Sequence, residues 1–152
     1  MALYFNSVNE ILDFAISKEE GAASFYNQLA ERMNRTWMVK VFKDFAAEEQ
    51  GHKAKLQAVK KGGKLEPSKA KIMDLKLAEY LTTSGPSADM EYPEALIQAM
   101  KQEKESFRLY TELAGTTSDA SLRDVFLFLA QEEAKHKLRF ELEYDEVVLK
   151  EN

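Results

Sequence analysis

The stretch Glu48-Glu49-Gln50-Gly51-His52-Lys53 returns 84 residues later as Glu132-Glu133-Ala134-Lys135-His136-Lys137. The chain has two histidines, and these stretches hold both of them. On a helix, residues three apart share a face. Each Glu-x-x-His unit therefore offers one carboxylate and one imidazole to a single point, and two such units suggest a metal centre built in two halves.

The same offset extends outward from the motifs without a gap. Glu10 aligns with Glu94, Leu12 with Leu96, Glu19 with Glu103, Tyr26 with Tyr110, Leu29-Ala30 with Leu113-Ala114, and Val41-Phe42 with Val125-Phe126. Two copies are too few and too long for a solenoid. Internal duplication of a helical hairpin is the simpler account.

Four long segments carry helical periodicity. The first runs from about Ser7 to Met33, with Ser7 and Glu10 in a capping-box pattern. The second runs from about Thr36 to Lys61 and stops at Gly62-Gly63. The third starts near Pro93, a residue tolerated in a first turn, and reaches Ala114, before Gly115. The fourth runs from about Ser118 to Val148, with Ser118 or Asp119 as its cap. Residues 63–92 hold Pro67, Gly85, Pro86 and one short helical pattern from about Lys69 to Leu81. The expected fold is all-α: two duplicated hairpins, about 7–62 and 93–148, joined by a long crossover into one ferritin-like four-helix bundle spanning 1–152.

The apolar stripes place the chemistry. Read at spacings of three and four, helix one gives Leu12, Ala15, Glu19, Ala22, Tyr26, Leu29 and Met33. Helix two gives Phe42, Phe45, Glu49, His52, Leu56 and Val59. Helix three gives Leu96, Ala99, Glu103, Ser106, Tyr110 and Leu113. Helix four gives Phe126, Leu129, Glu133, His136 and Phe140. Each stripe is interrupted near its middle by an acidic residue. A carboxylate at a core position loses several kcal/mol of hydration unless something compensates, and four converging carboxylates repel one another. Two divalent cations would neutralise them. Carboxylate with imidazole suits iron or manganese, and imidazole also suits zinc. A Glu from each of two helices plus a Glu-x-x-His from each of the other two is the di-iron or di-manganese constellation of ferritin-like bundles.

The repeat separates these glutamates from their neighbours. Glu20 aligns with Lys104 and Glu105 with Gly21, whereas Glu19 and Glu103 align with each other. Glu48 and Glu132 are also repeated, but lie about 100° around the helix, on its flank or behind the ligands. Tyr26 and Tyr110 read either as core aromatics or as hydroxyls that hold a metal carboxylate in place. Phe42, Phe45, Phe126 and Phe140 read as core that keeps the site dry. Trp37 reads as packing or a dimer contact at the first hairpin turn.

The pieces Glu19-x6-Tyr26-x2-Leu29-Ala30, Glu49-x2-His52, Glu103-x6-Tyr110-x2-Leu113-Ala114 and Glu133-x2-His136 give the chain its resemblance. It resembles the ferritin-like superfamily and, within it, the rubrerythrin-like di-iron proteins, over nearly its whole length. The resemblance implies two iron ions held by Glu19, Glu49, His52, Glu103, Glu133 and His136. Glu49 and Glu133 would be bridging or terminal carboxylates, and each metal would take one imidazole. It also implies reaction with hydrogen peroxide or dioxygen. Two departures stand out. Rubrerythrins usually carry a four-cysteine rubredoxin-like domain, whereas this sequence has no cysteine, so the electrons are expected from an external donor such as a rubredoxin-like protein. Rubrerythrins also place an extra carboxylate one turn after the third-helix Glu. Here that position is Ser106, matched by Ala22, which makes the ligand set more symmetric and sets the chain apart from the peroxide-reducing pattern.

Composition narrows the field. Hydrophobic content of 45% supports a packed core, and a net charge of -5 argues against nucleic acid. The Lys-rich stretch 53–71 then reads as a solvated face. No run approaches the ~18 apolar residues of a membrane span, and the amino end lacks the pattern of a signal peptide. The expectation is a cytoplasmic homodimer acting as a di-iron oxidoreductase. The same ligands would also serve a ferroxidase that handles iron, or a metal-stabilised helical binding module without turnover.

Overall fold

The computed structural model describes residues 7–62 and 90–149. These residues form four helices and no strand: α1 (Val8–Arg32), α2 (Thr36–Lys61), α3 (Tyr92–Thr116) and α4 (Ala120–Tyr144), the last running into a wider π-helical turn over Asp145–Leu149. The architecture is the expected all-α four-helix bundle. The expected short helix over 69–81 lies outside the described residues.

Local chemistry sets the ends of the helices. The Ser7 hydroxyl accepts from the Glu10 N–H at 3.2 Å, and the Asp119 carboxylate accepts from the Leu122 N–H at 2.9 Å. Both satisfy amides that have no partner inside their helix. Of the two candidate caps for α4, Asp119 is the one used. Pro93 sits in the first turn of α3. Gly115 does not end that helix, as its sequence position suggested. The chain stays helical through Thr116 and leaves at an extended Thr117, whose N–H reaches the Leu113 carbonyl. The Thr116 hydroxyl donates to the same carbonyl at 3.0 Å.

Side-chain pairing gives the directions. Lys60 meets Asp13 and Lys53 meets Glu20, so α1 and α2 are antiparallel. Tyr92 meets Glu143 across the second hairpin. Tyr26 meets Glu103 and Tyr110 meets Glu19, so α1 and α3 are also antiparallel. It follows that α2 and α3 run parallel, and that the end of one and the start of the other lie at opposite ends of the bundle. A connection spanning the bundle's length is required, which distinguishes this topology from a simple up-down arrangement.

The core divides into two apolar clusters with a polar layer between them. One cluster gathers Ile11, Leu12, Leu56, Leu109, Leu113, Phe126 and Leu129. The other is aromatic, with Phe25, Tyr26, Phe42, Phe45, Tyr92 and Phe140. Phe140 is fully buried and stacks on Phe45 with ring centroids 4.0 Å apart. Truncating it leaves a cavity that rigid helices fill poorly. Phe140→Ala is expected to cost about 3–5 kcal/mol, measured as a lower urea midpoint at unchanged slope.

Trp37 packs edge-to-face on Tyr92 at the first hairpin turn and remains partly exposed. Among the described residues, no helix is long and apolar enough to cross a membrane.

Candidate metal centre

The polar layer holds Glu19, Glu49, His52, Glu103, Glu133 and His136, all buried although every one is ionisable. Each occupies the middle of its helix's apolar stripe, so the packing that forms the bundle carries all six to one level. Their ligand atoms form two groups, within each of which every atom lies within 4.8 Å of the others. One group is Glu19, Glu49, His52 and Glu133, and the other is Glu49, Glu103, Glu133 and His136. Glu49 and Glu133 belong to both. Adding the 84-residue offset exchanges the two groups member for member.

Both imidazoles present Nδ1 to the carboxylates. His52 Nδ1 lies 2.9 Å from Glu133 Oε1 and 3.6 Å from Glu19 Oε1. His136 Nδ1 lies 2.9 Å from Glu49 Oε1 and 3.4 Å from Glu103 Oε1. The two rings are nearly parallel, 5.6 Å apart. Tyr110 donates its hydroxyl to Glu19 Oε1 at 2.6 Å, and Tyr26 donates to Glu103 Oε1. Each tyrosine therefore bonds a glutamate of the opposite hairpin while its ring stays buried in the core. Loss of such a bond typically costs ~10–100-fold in metal affinity. Tyr110→Phe is expected to weaken zinc(II) binding within that range in a calorimetric titration. A change below about twofold would reduce the hydroxyl to a packing feature.

The electrostatics of the layer are those of a site that needs cations. Burial, reinforced by the neighbouring carboxylates, pushes Glu49 and Glu133 well above the ordinary carboxylate range. Burial also raises Glu103, to about 7, despite the opposing effect of the neighbouring Glu133 and of the Tyr26 hydroxyl. Burial pushes Glu19 up, but the neighbouring His52 and the Tyr110 hydroxyl, with Glu49 beside it, bring it down. Burial opposes a charge on His52, yet its bonds to Glu133 and Glu19 carry it up to about 10. His136 is lowered, chiefly by burial. The layer keeps protons because burial and mutual repulsion disfavour the ionised carboxylates.

One observation tests whether a metal fits. Among the described residues, the buried side-chain atoms without a hydrogen-bond partner are Glu19 Oε2, Glu49 Oε1 and Oε2, Glu103 Oε2, Glu133 Oε2 and His136 Nδ1. All six lie in this layer, and none lies elsewhere. His136 Nδ1 belongs with them although Glu49 Oε1 is only 2.9 Å away. Buried polar atoms are normally paired, so six orphans gathered in one layer fit a site for cations. Four carboxylates and two neutral imidazoles offset two divalent ions in full.

Glu48, expected on a flank or behind the ligands, has an Oε2 atom 2.8 Å from His136 Nε2 and pairs with Arg139 at 3.0 and 3.1 Å. Its counterpart Glu132 instead pairs with Lys135 on its own helix at 3.2 Å. Arg139 went unnoticed in the sequence. Its signal was its place one turn after His136, opposite Lys55 in the repeat. Ser106 and Ala22 are both buried beside the layer, so neither half gains a further carboxylate there.

A bundle of four helices with two Glu-x-x-His units and two further glutamates gathered in two groups has the donor set of a carboxylate-type metal site. The family model for rubrerythrin matches residues 10–144, and the chain belongs to that family. No curated protein and no solved structure is matched.

Proposed function

We propose that this protein is a non-haem di-iron oxidoreductase that reacts with hydrogen peroxide or dioxygen and draws electrons from an external donor. The observation that supports it most is the set of six orphaned donor atoms converging on two points. Family membership supports iron as the metal. Glu49 and Glu133, common to both groups, would hold both ions; Glu19 and His52 would complete one position, and Glu103 and His136 the other. With two iron(II) ions held there, the site would have two electrons to give, enough with two protons to reduce one peroxide to two waters.

The protein's own part is geometric and electrostatic. Tyr26 and Tyr110 hold the terminal glutamates in one orientation, so the ligand set is arranged before an ion arrives. The apolar clusters above and below keep bulk water from the layer and strengthen its electrostatics. Re-reduction falls to a separate protein such as a rubredoxin-like carrier. Manganese and zinc suit the same donors, and redox cycling separates iron from zinc.

The test is an anaerobic sample loaded with iron(II) and mixed with peroxide, then with dioxygen, in a stopped-flow spectrometer. About two irons per chain, rapid growth of near-ultraviolet ferric absorbance and its reversal by a reductant are expected. Binding without oxidation by either reagent refutes the proposal. Uptake of many irons per chain moves the function to iron handling.

A further inference from the structure

Ligand type and count are the same in the two halves of the centre, but what stands behind the histidines is not. His136 Nε2 lies 2.8 Å from Glu48 Oε2. A carboxylate only accepts, so Nε2 carries the proton and Nδ1 keeps its lone pair directed into the layer. Glu48 is itself held by Arg139, whose Nη1 lies 3.1 and 3.0 Å from the two carboxylate oxygens. Arg139 also lies over the Phe45 ring, 4.4 Å from its centroid, and Phe45 meets the His136 ring edge-to-face at 5.0 Å. Arg139, Glu48 and Phe45 together fix both the tautomer and the plane of His136.

None of this recurs behind His52. Among the described residues no carboxylate pairs with its Nε2. Glu132, the counterpart of Glu48, is drawn to Lys135. Lys55, the counterpart of Arg139, lies over Phe128 at 3.9 Å. Leu129 stands where Phe45 stands, and Leu56 where Phe140 stands. The difference is written in the sequence: an arginine, whose planar fork suits a carboxylate, faces a lysine, which is a point charge on a flexible stem. An aromatic wall likewise faces an aliphatic one.

The geometry points to two inequivalent metal positions. The position of Glu103 and His136 is the tight one and fills first, with Glu48 as its positioning residue and Arg139 supporting Glu48. The position of Glu19 and His52 fills second. A carboxylate behind a ligating histidine orients the ring and makes it a stronger donor, and its loss typically costs ~10–100-fold in metal affinity. This inference rests on the dinuclear reading of the site and would hold for any divalent ion that the layer accepts.

Cobalt(II) is the probe, because its visible bands report ligand geometry as well as occupancy. The metal-free full-length protein is titrated by calorimetry and visible absorption. Two separable phases are expected, of about one ion each, the tighter one lost in His136→Ala and the weaker one in His52→Ala. Glu48→Gln should weaken the tight phase ~10–100-fold and shift its visible bands, with Glu48→Asp restoring part of the affinity. Glu132→Gln should leave both phases in place. Glu48 is 43% exposed at its side chain, so its replacement leaves the core intact. An unchanged melting temperature of the metal-free variant separates positioning from a structural effect, and Arg139→Lys gives a second, milder perturbation in the same direction. Equal affinities at the two positions, or equal effects of Glu48→Gln and Glu132→Gln, overturn the inequivalence. No cobalt bound by the wild-type protein overturns the metal reading beneath it.

Discussion

Saturation with zinc(II), or with iron(II) under anaerobic conditions, raises the melting temperature of the metal-free protein by roughly 15–30 °C. The metal-free layer is a large stored cost. Four glutamates that are at most 2% exposed surround two histidines, and five carboxylate oxygens find no donor. Ions that bind only the folded chain stabilise it by mass action, by about 4 kcal/mol for each site at a thousandfold excess over its dissociation constant. Two sites give about 8 kcal/mol, and for a domain of this size each kcal/mol moves the midpoint by roughly 2–4 °C. Calorimetric scans with a chelator and with excess metal measure the difference. A shift below about 5 °C for every divalent ion tried would mean that the layer is not built around cations.

The helices and the six converging side chains were legible in the sequence for one physical reason. A glutamate in the middle of an apolar stripe breaks the 3.6-residue pattern visibly, and here it does so four times at positions linked by one offset. Leu12, Ala15, Ala22, Tyr26 and Leu29 of helix one are all buried as read, as are the stripe residues of helix four. The stripes were read too narrowly. Ile11, Ala23, Ala30, Leu109, Leu122 and Ala130 are also buried, because hairpin partners pack closely and take in the flanks beside each stripe. Gly115 lies inside the last turn of α3, and the chain leaves the helix two residues later at an extended Thr117. The pairing of Glu48 with Arg139 and His136 could not be read from spacing, since it joins α2 to α4 across 91 residues and depends on the reach of one side chain. Symmetry in the sequence also implied matching roles for Glu48 and Glu132. One arginine against one lysine separates them.

Replacing Glu133 by glutamine should stabilise the metal-free protein near neutral pH while removing metal from both positions. Glu133 is common to both donor groups, so its loss affects each of them, whereas Glu19→Ala or Glu103→Ala touches only one. The stability gain follows from protons. Burial and mutual repulsion hold Glu49 and Glu133 far above the ordinary value of 4.5, and burial holds Glu103 at about 7. A carboxylate raised in the folded state keeps a proton that the unfolded chain has released. Its contribution is full below the unfolded value and is lost as pH rises through the folded one. His52, carried to about 10 against its burial, contributes in the same direction. His136, lowered chiefly by burial, runs the other way but only below about its ordinary 6.5. The lowered Glu19 acts below 4.5, outside the window. Wild-type protein in chelator should therefore lose stability steadily from about pH 5 to about pH 8. In Glu133→Gln the slope should be shallower, and the variant should exceed wild type near pH 8 by roughly 1–3 kcal/mol, the scale of relieving an uncompensated buried charge. With excess zinc the order should reverse, because only the wild type gains from the ions. Urea midpoints at three pH values, with chelator and with metal, give all four comparisons. A glutamine variant less stable than wild type in chelator at the highest pH would show that the carboxylate cluster is not the burden its burial implies. The reversal on adding metal is the signature of a site whose folding cost is offset only by its ligand.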